Sequence, residues 1–96
     1  MPLFVIIGWD MPDSREKRPT ARPHHRAHWA DWDEEHIVIA GPMTDFAGSL
    51  FVVDAESQAV VEAKVAADPY LALKVWSRAE VHPFTAVAPH KKYPVG

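Results

Sequence analysis

The sequence contains no cysteine, which excludes disulfide staples, thiolate metal sites and cysteine nucleophiles, and makes the cytoplasm the expected compartment. Glycine is scarce, at four residues, and none falls in a GxSxG, Walker A or GxGxxG pattern, so serine-hydrolase and nucleotide-binding readings lose their support. No apolar run is long enough to cross a bilayer. The stretch from Met1 to Trp9 is short, has no basic leader and runs into Asp10 and Asp13, so it reads as a strand rather than a signal peptide or membrane span. An excess of positive charge is missing too. Ten basic residues against thirteen acidic ones give a net charge of −3, without the concentrated Lys and Arg that nucleic acid requires.

What remains is an ordinary globular composition. With 96 residues, 48% of them hydrophobic and 24% charged, the chain has material for one domain with one modest core, despite nine prolines. Leu3 to Ile7 is a β-branched and aromatic run closed by Gly8 and the turn residues Asp10 to Asp13, which predicts a first strand. Ser14 caps a helical turn to Arg18, Pro19 and Pro23 interrupt it, and a first main helix then runs from about Thr20 to Glu35. Runs at 36–40 and 49–53, separated by Gly41-Pro42, Asp45 and Gly48, predict an antiparallel hairpin. Helical spacing over about 56–67 gives a second main helix, and Asp68-Pro69 caps a short helical piece. A fourth strand over about 77–81, ended by Pro83, completes a βαββαβ order. That order is the ferredoxin-like α+β arrangement with an antiparallel sheet.

Three of the four strands are apolar at consecutive positions rather than alternating. An antiparallel sheet with one wet face should alternate, so both faces are expected to be covered, one by the helices and the other by a second copy of the chain. Leaving such a face in water would forfeit about 25 cal/mol for each Å² of apolar surface. The expected state is a homodimer. The proline-containing tail from residue 85 to 96 shows no periodicity, and in a monomer it is the segment that would have to fold over the open face.

The first helix concentrates rings and ionisable groups. At helical spacing, Arg18, Arg22, His25, Trp29, Trp32 and His36 share one side, and His24, His28, Asp31 and Glu35 share another. The tryptophans supply the apolar area of a core-facing side, which places His25 partly buried near Arg22, where a neutral imidazole can serve as a general base. For any one of these histidines taken alone, a surface or capping role is the commoner reading. His24 and His28 are four apart, a spacing that can hold a metal ion, yet the position after the first histidine is His25 and HExxH is absent. No metal is expected.

Taken in order, Asp10, Asp13-Ser14-Arg15-Glu16-Lys17-Arg18, Arg22-Pro23-His24-His25, Ala40-Gly41-Pro42, Gly48, Asp68-Pro69-Tyr70 and Pro83-Phe84 resemble the YCII-related family over about residues 3 to 84. The resemblance implies a ferredoxin-like domain paired into a dimeric α+β barrel, with a cleft between sheet and helices. It implies a catalytic pair of His25 and Asp68, the aspartate orienting the histidine, with Asp10, Arg18, Arg22, Trp32, Gly41 and Pro42 as substrate-binding positions. The two basic residues would hold an anionic or phenolic substrate. Related barrels include monooxygenases, lactone isomerases and a dehydrochlorinase acting on chlorinated hydroxyquinols, so the resemblance favours cofactor-free proton transfer on a small cyclic or aromatic metabolite. The other reading is a non-catalytic module of the same fold that holds a small ligand or meets another protein.

Overall fold

In a computed structural model of the chain, residues 1–88 are described, and the predicted tail lies outside the described residues from position 89. The apolar run at the start forms β1 (Leu3–Asp10), and the next elements are α1 (Ser14–Trp29), β2 (Ile37–Pro42) and β3 (Gly48–Asp54). They are followed by α2 (Gln58–Ala66), α3 (Pro69–Ala72) and β4 (Trp76–Phe84). The strands make one antiparallel sheet in the order β2-β3-β1-β4, with β1 and β3 central as their apolar character requires. This is the α+β sheet-and-helix arrangement expected from the element order.

Three boundaries differ from those the sequence predicts, because tertiary contacts override local preference. Pro19 and Pro23 lie inside one continuous α1 instead of dividing it, although each removes an i→i−4 hydrogen bond. Side chains pin this helix at both ends: Asp10 on β1 accepts from Ser14 Oγ at 3.0 Å and from both Arg18 guanidinium nitrogens at 2.9 and 3.0 Å, and Trp29 is tied to Asp68. The helix ends at Trp29 rather than Glu35, and residues 30–36 run as turns that deliver the chain to β2. Likewise β4 continues through Pro83 to Phe84. It is an edge strand, where a missing amide donor is tolerated.

Period-two alternation sends Phe4, Ile6, Phe51 and Val53 into the core with Trp29, Val61, Val65, Tyr70, Val75 and Trp76. Their neighbours Val5, Ile7, Leu50 and Val52 point to the opposite face, where Ile39, Leu50 and Phe84 are exposed at 48%, 36% and 43%. On this face β4 is polar instead. Glu80 accepts from the Trp9 indole, from Arg78 at 2.7 Å and from His82 at 3.0 Å.

Those three contacts, the Trp9 bond first, pull the Glu80 carboxyl down from 4.5 to about 2. A depressed folded-state value means that the contribution is complete above the ordinary carboxyl range and is lost as pH falls through the folded value. Stability is therefore expected to decline between about pH 4.5 and 2 in part through Glu80. Glu80→Gln should flatten that limb of a denaturation-versus-pH curve, and an unchanged limb would contradict the assignment.

The end of α3 is a Schellman closure: Val75 N–H donates to Tyr70 C=O at 2.9 Å and Lys74 N–H to Leu71 C=O at 3.2 Å. Lys74 pays for this with φ 61°, a conformation that glycine adopts without Cβ strain. Lys74→Gly is expected to raise stability by about 0.5–1 kcal/mol, read as a melting temperature higher by several degrees.

Candidate active site

Between α1 and the sheet lies a cleft of about 400 Å³, bordered by α1, β2, β3 and α3. Its chemistry starts at Asp68, which is 1% exposed and caps α3 by accepting from the Tyr70 amide at 2.8 Å. Asp followed by Pro is the sequence pattern for such a cap. The same carboxylate accepts from the Trp29 indole at 2.6 Å and faces His25 Nδ1 at 2.9 Å through both oxygens. Three donors thus converge on one carboxylate, the arrangement an acceptor-only group can satisfy.

With Nδ1–H donating to Asp68, the lone pair of His25 sits on Nε2, which has no hydrogen-bond partner among the described residues while the ring lines the cleft. The tautomer follows from the partner rather than from choice. The imidazole lies flat on the Tyr70 ring, with centroids 3.9 Å apart and planes 4° from parallel. Its edges meet Phe51 at 5.9 Å and Trp76 at 5.6 Å. Orientation is therefore fixed on all sides but one. A base, an orienting carboxylate and an apolar floor of Trp29, Phe51 and Tyr70 together suit proton abstraction from a small ring.

The predicted site residues divide into three groups. His25, Arg18, Arg22, Gly41 and Pro42 come together around the cleft, with Asp68 behind His25. Asp10 does not line it. Its carboxylate is spent on Ser14 and Arg18, so Arg18, in a pair exposed by only 12% and 3% at the side chains, is held by the protein itself. The hydrogen bonds to Asp10 raise the Arg18 guanidinium above its already high ordinary value. Trp32 is the third case. Because α1 stops at Trp29, Trp32 leaves the helical face predicted for it and, with His36, borders a separate small depression near Met1 and Val60.

Residues that the helical-face and motif reasoning passed over are Arg26, Asp33, Ile37, Ser49, Phe51 and Tyr70. Tyr70 carried a signal, since it follows Asp68-Pro69 directly; Phe51 and Ser49 carried none beyond strand alternation. His28 is committed elsewhere, its Nε2–H donating to Lys64 C=O at 2.7 Å. Lys64 in turn donates to His28 C=O at 2.6 Å and to Asp31 at 2.8 Å. Among the described residues, no three His, Asp or Glu side chains converge as a metal site, and no helix is long and apolar enough to cross a membrane.

Comparison with known proteins agrees with this fold. Protein YciI of Escherichia coli is 36% identical over 96 residues, spanning 88% of this chain and 98% of the relative. Among solved structures, the 5-chloro-2-hydroxyhydroquinone dehydrochlorinase TftG of Burkholderia phenoliruptrix, in complex with 2,5-dihydroxybenzoquinone, superposes with a TM-score of 0.77. It is 25% identical, the match covering 86% of this chain and 93% of that one. Rv0793 from Mycobacterium tuberculosis shares the fold at a TM-score of 0.54 and 15% identity, covering 93% and 98% of the two chains. The profile of the YCII-related domain matches residues 2–85, and the chain accordingly belongs to the YCII-related family.

Proposed function

We propose that this protein is a small cofactor-independent lyase- or isomerase-like enzyme that transfers protons on a cyclic or aromatic metabolite, with His25 as the base and Asp68 as its orienter. The observation that carries this reading is the His25 Nδ1–Asp68 pair at 2.9 Å at the wall of a ring-sized cleft. The likeness to a dehydrochlorinase solved with a dihydroxybenzoquinone supports the substrate class. In the proposed step, Nε2 takes a proton from a ring carbon or hydroxyl. The freed electron pair forms a new double bond, either expelling a leaving group or relocating unsaturation within the ring. The imidazolium charge faces the Asp68 carboxylate, and the proton passes on to product or water.

The test is a screen of small hydroxylated rings for turnover or for hydrogen–deuterium exchange at carbon, followed by His25→Ala on any hit. A folded variant with turnover reduced by about 10²–10⁴-fold is expected, the usual worth of a positioned base. Equal turnover by the variant, or neither turnover nor exchange with any ring, would overturn the assignment and favour a ligand-binding module.

The active form is proposed to be a homodimer joined through the open sheet face. The support is the apolar surface of Val5, Ile7, Leu50, Val52 and Ile39 on a side that no helix covers among the described residues, since burying such a face is favourable in proportion to its area. Light scattering at micromolar concentration should report twice the chain mass, and Leu50→Glu should halve it. A wild-type monomer would refute the pairing.

A further inference from the structure

We infer that the metabolite carries an acidic substituent, and that Arg22 together with Arg26, rather than Arg18, forms its anion-binding end. The inference rests on the ring-binding cleft proposed above and adds the charge of its ligand. Arg18, Arg22 and Arg26 recur every four residues along α1, and all three border the cleft. Like charges at that spacing repel and weaken a helix by a few tenths of a kcal/mol per pair. Only Arg18 has its charge answered, by the bidentate contact to Asp10. Among the described residues, neither Arg22 nor Arg26 lies within 4.0 Å of a carboxylate oxygen, although Asp33 stands on the same rim.

Position in the helix accounts for only part of this. Arg26 lies in the last turn of α1, where a cation complements the helix dipole, but Arg22 is mid-helix and gains nothing there. Global charge does not account for it either, because the chain is net acidic at −3 and nevertheless places two solvent-exposed guanidinium groups, neither paired with a carboxylate among the described residues, at one cleft. His25 lies between them in sequence, on the same side of the helix. A planar ring standing against Trp29 and Phe51 would present one edge to His25 Nε2 and direct a carboxylate to the two arginines, whose planar forks match that group. Asp33, which also lines the cleft, would disfavour a second acidic substituent, so the fitted ligand is a ring with a single carboxylate.

The test compares 2,5-dihydroxybenzoate with 2,5-dihydroxybenzamide, a pair of nearly equal shape and unequal charge, by calorimetry or NMR titration of the full chain. Wild-type protein is expected to bind the acid about tenfold or more tightly, the scale of one charge-assisted contact. Arg22→Met with Arg26→Met should abolish the preference, and Lys17→Met, a charge loss of the same kind away from the cleft, should leave it intact. If wild type shows the preference while no ring is ever turned over, the catalytic reading fails and the anion site stands. Equal affinity of wild type for acid and amide, binding of neither below about 10 mM, or an undiminished preference in the double arginine variant would overturn the anion site alone.

Discussion

Replacing Asp68 by alanine is expected to cost about 3–5 kcal/mol of folding stability, the range for removing one partner of a buried, hydrogen-bonded polar set. The magnitude follows from what is orphaned. The Trp29 indole loses a 2.6 Å bond inside the core, the Tyr70 amide loses its cap, and His25 loses the acceptor for Nδ1. Against a typical total of about 5–15 kcal/mol for a domain, the loss leaves a marginal fold, visible as a large fall in the urea midpoint. Asp68→Asn separates structure from chemistry. Its carbonyl can still cap α3, while its amide must face Trp29 or His25 with a donor where an acceptor is needed. It should therefore be milder in stability, yet nearly as damaging as His25→Ala to turnover, because the imidazole loses its enforced tautomer. If Asp68→Ala melts within about 1 kcal/mol of wild type, the carboxylate is not the hub that its three bonds describe.

The second large effect is expected at two glycines on β1 and β3 that are offset by one position in the strand register. A Cβ on Gly48 would stand 2.0 Å from the Gly8 carbonyl oxygen and 3.3 Å from Trp9 Cα. Those are backbone atoms of a central strand, so relief requires opening the ladder in which Gly8 pairs with Ser49 and Trp9 with Gly48. Gly48→Ala should cost about 3 kcal/mol or more, at or above the upper end for overpacking. A Cβ on Gly8 meets instead the buried Trp76 ring at 2.2–2.6 Å, and a side chain can shift where a strand cannot. Gly8→Ala should therefore be less destabilising, by about 2 kcal/mol, but should disturb the cleft, since Trp76 supports both Tyr70 and His25. Urea denaturation ranks the two variants, and the reverse order would contradict the geometry.

The central strands were legible in the sequence because β-branched runs bounded by turn residues have few alternatives. The same rule placed Gly48 in a turn, whereas its necessity arises from a cross-strand approach that only the register shows. Pro19 and Pro23 read as breaks, since the bonds each removes are visible locally, while the Asp10–Arg18 clamp that holds the helix together spans two elements. Trp29 and His25 were placed on one face by periodicity alone. Their meeting with Asp68, 43 residues from His25, has no periodic signature and came from the family resemblance. Arg18 illustrates the limit of a motif: the position matches, but its charge is already taken by Asp10, and the residue available in its stead, Arg26, belongs to no quoted motif.

The stacking of His25 on Tyr70 carries a consequence for where hydrogen atoms end up. An imidazole held flat against a phenol ring, edged by Phe51 and Trp76 and tethered at Nδ1, cannot rotate to offer its second nitrogen. Under the proposed function, Nε2 would thus be both the entrance and the exit for every proton the histidine handles. In the proposed isomerisation, a hydrogen taken from one carbon would return to the same face of the same ring whenever return outpaces exchange with water. An isomerisation run in deuterated water would then deliver product retaining much of the substrate's own hydrogen, with a single facial stereochemistry.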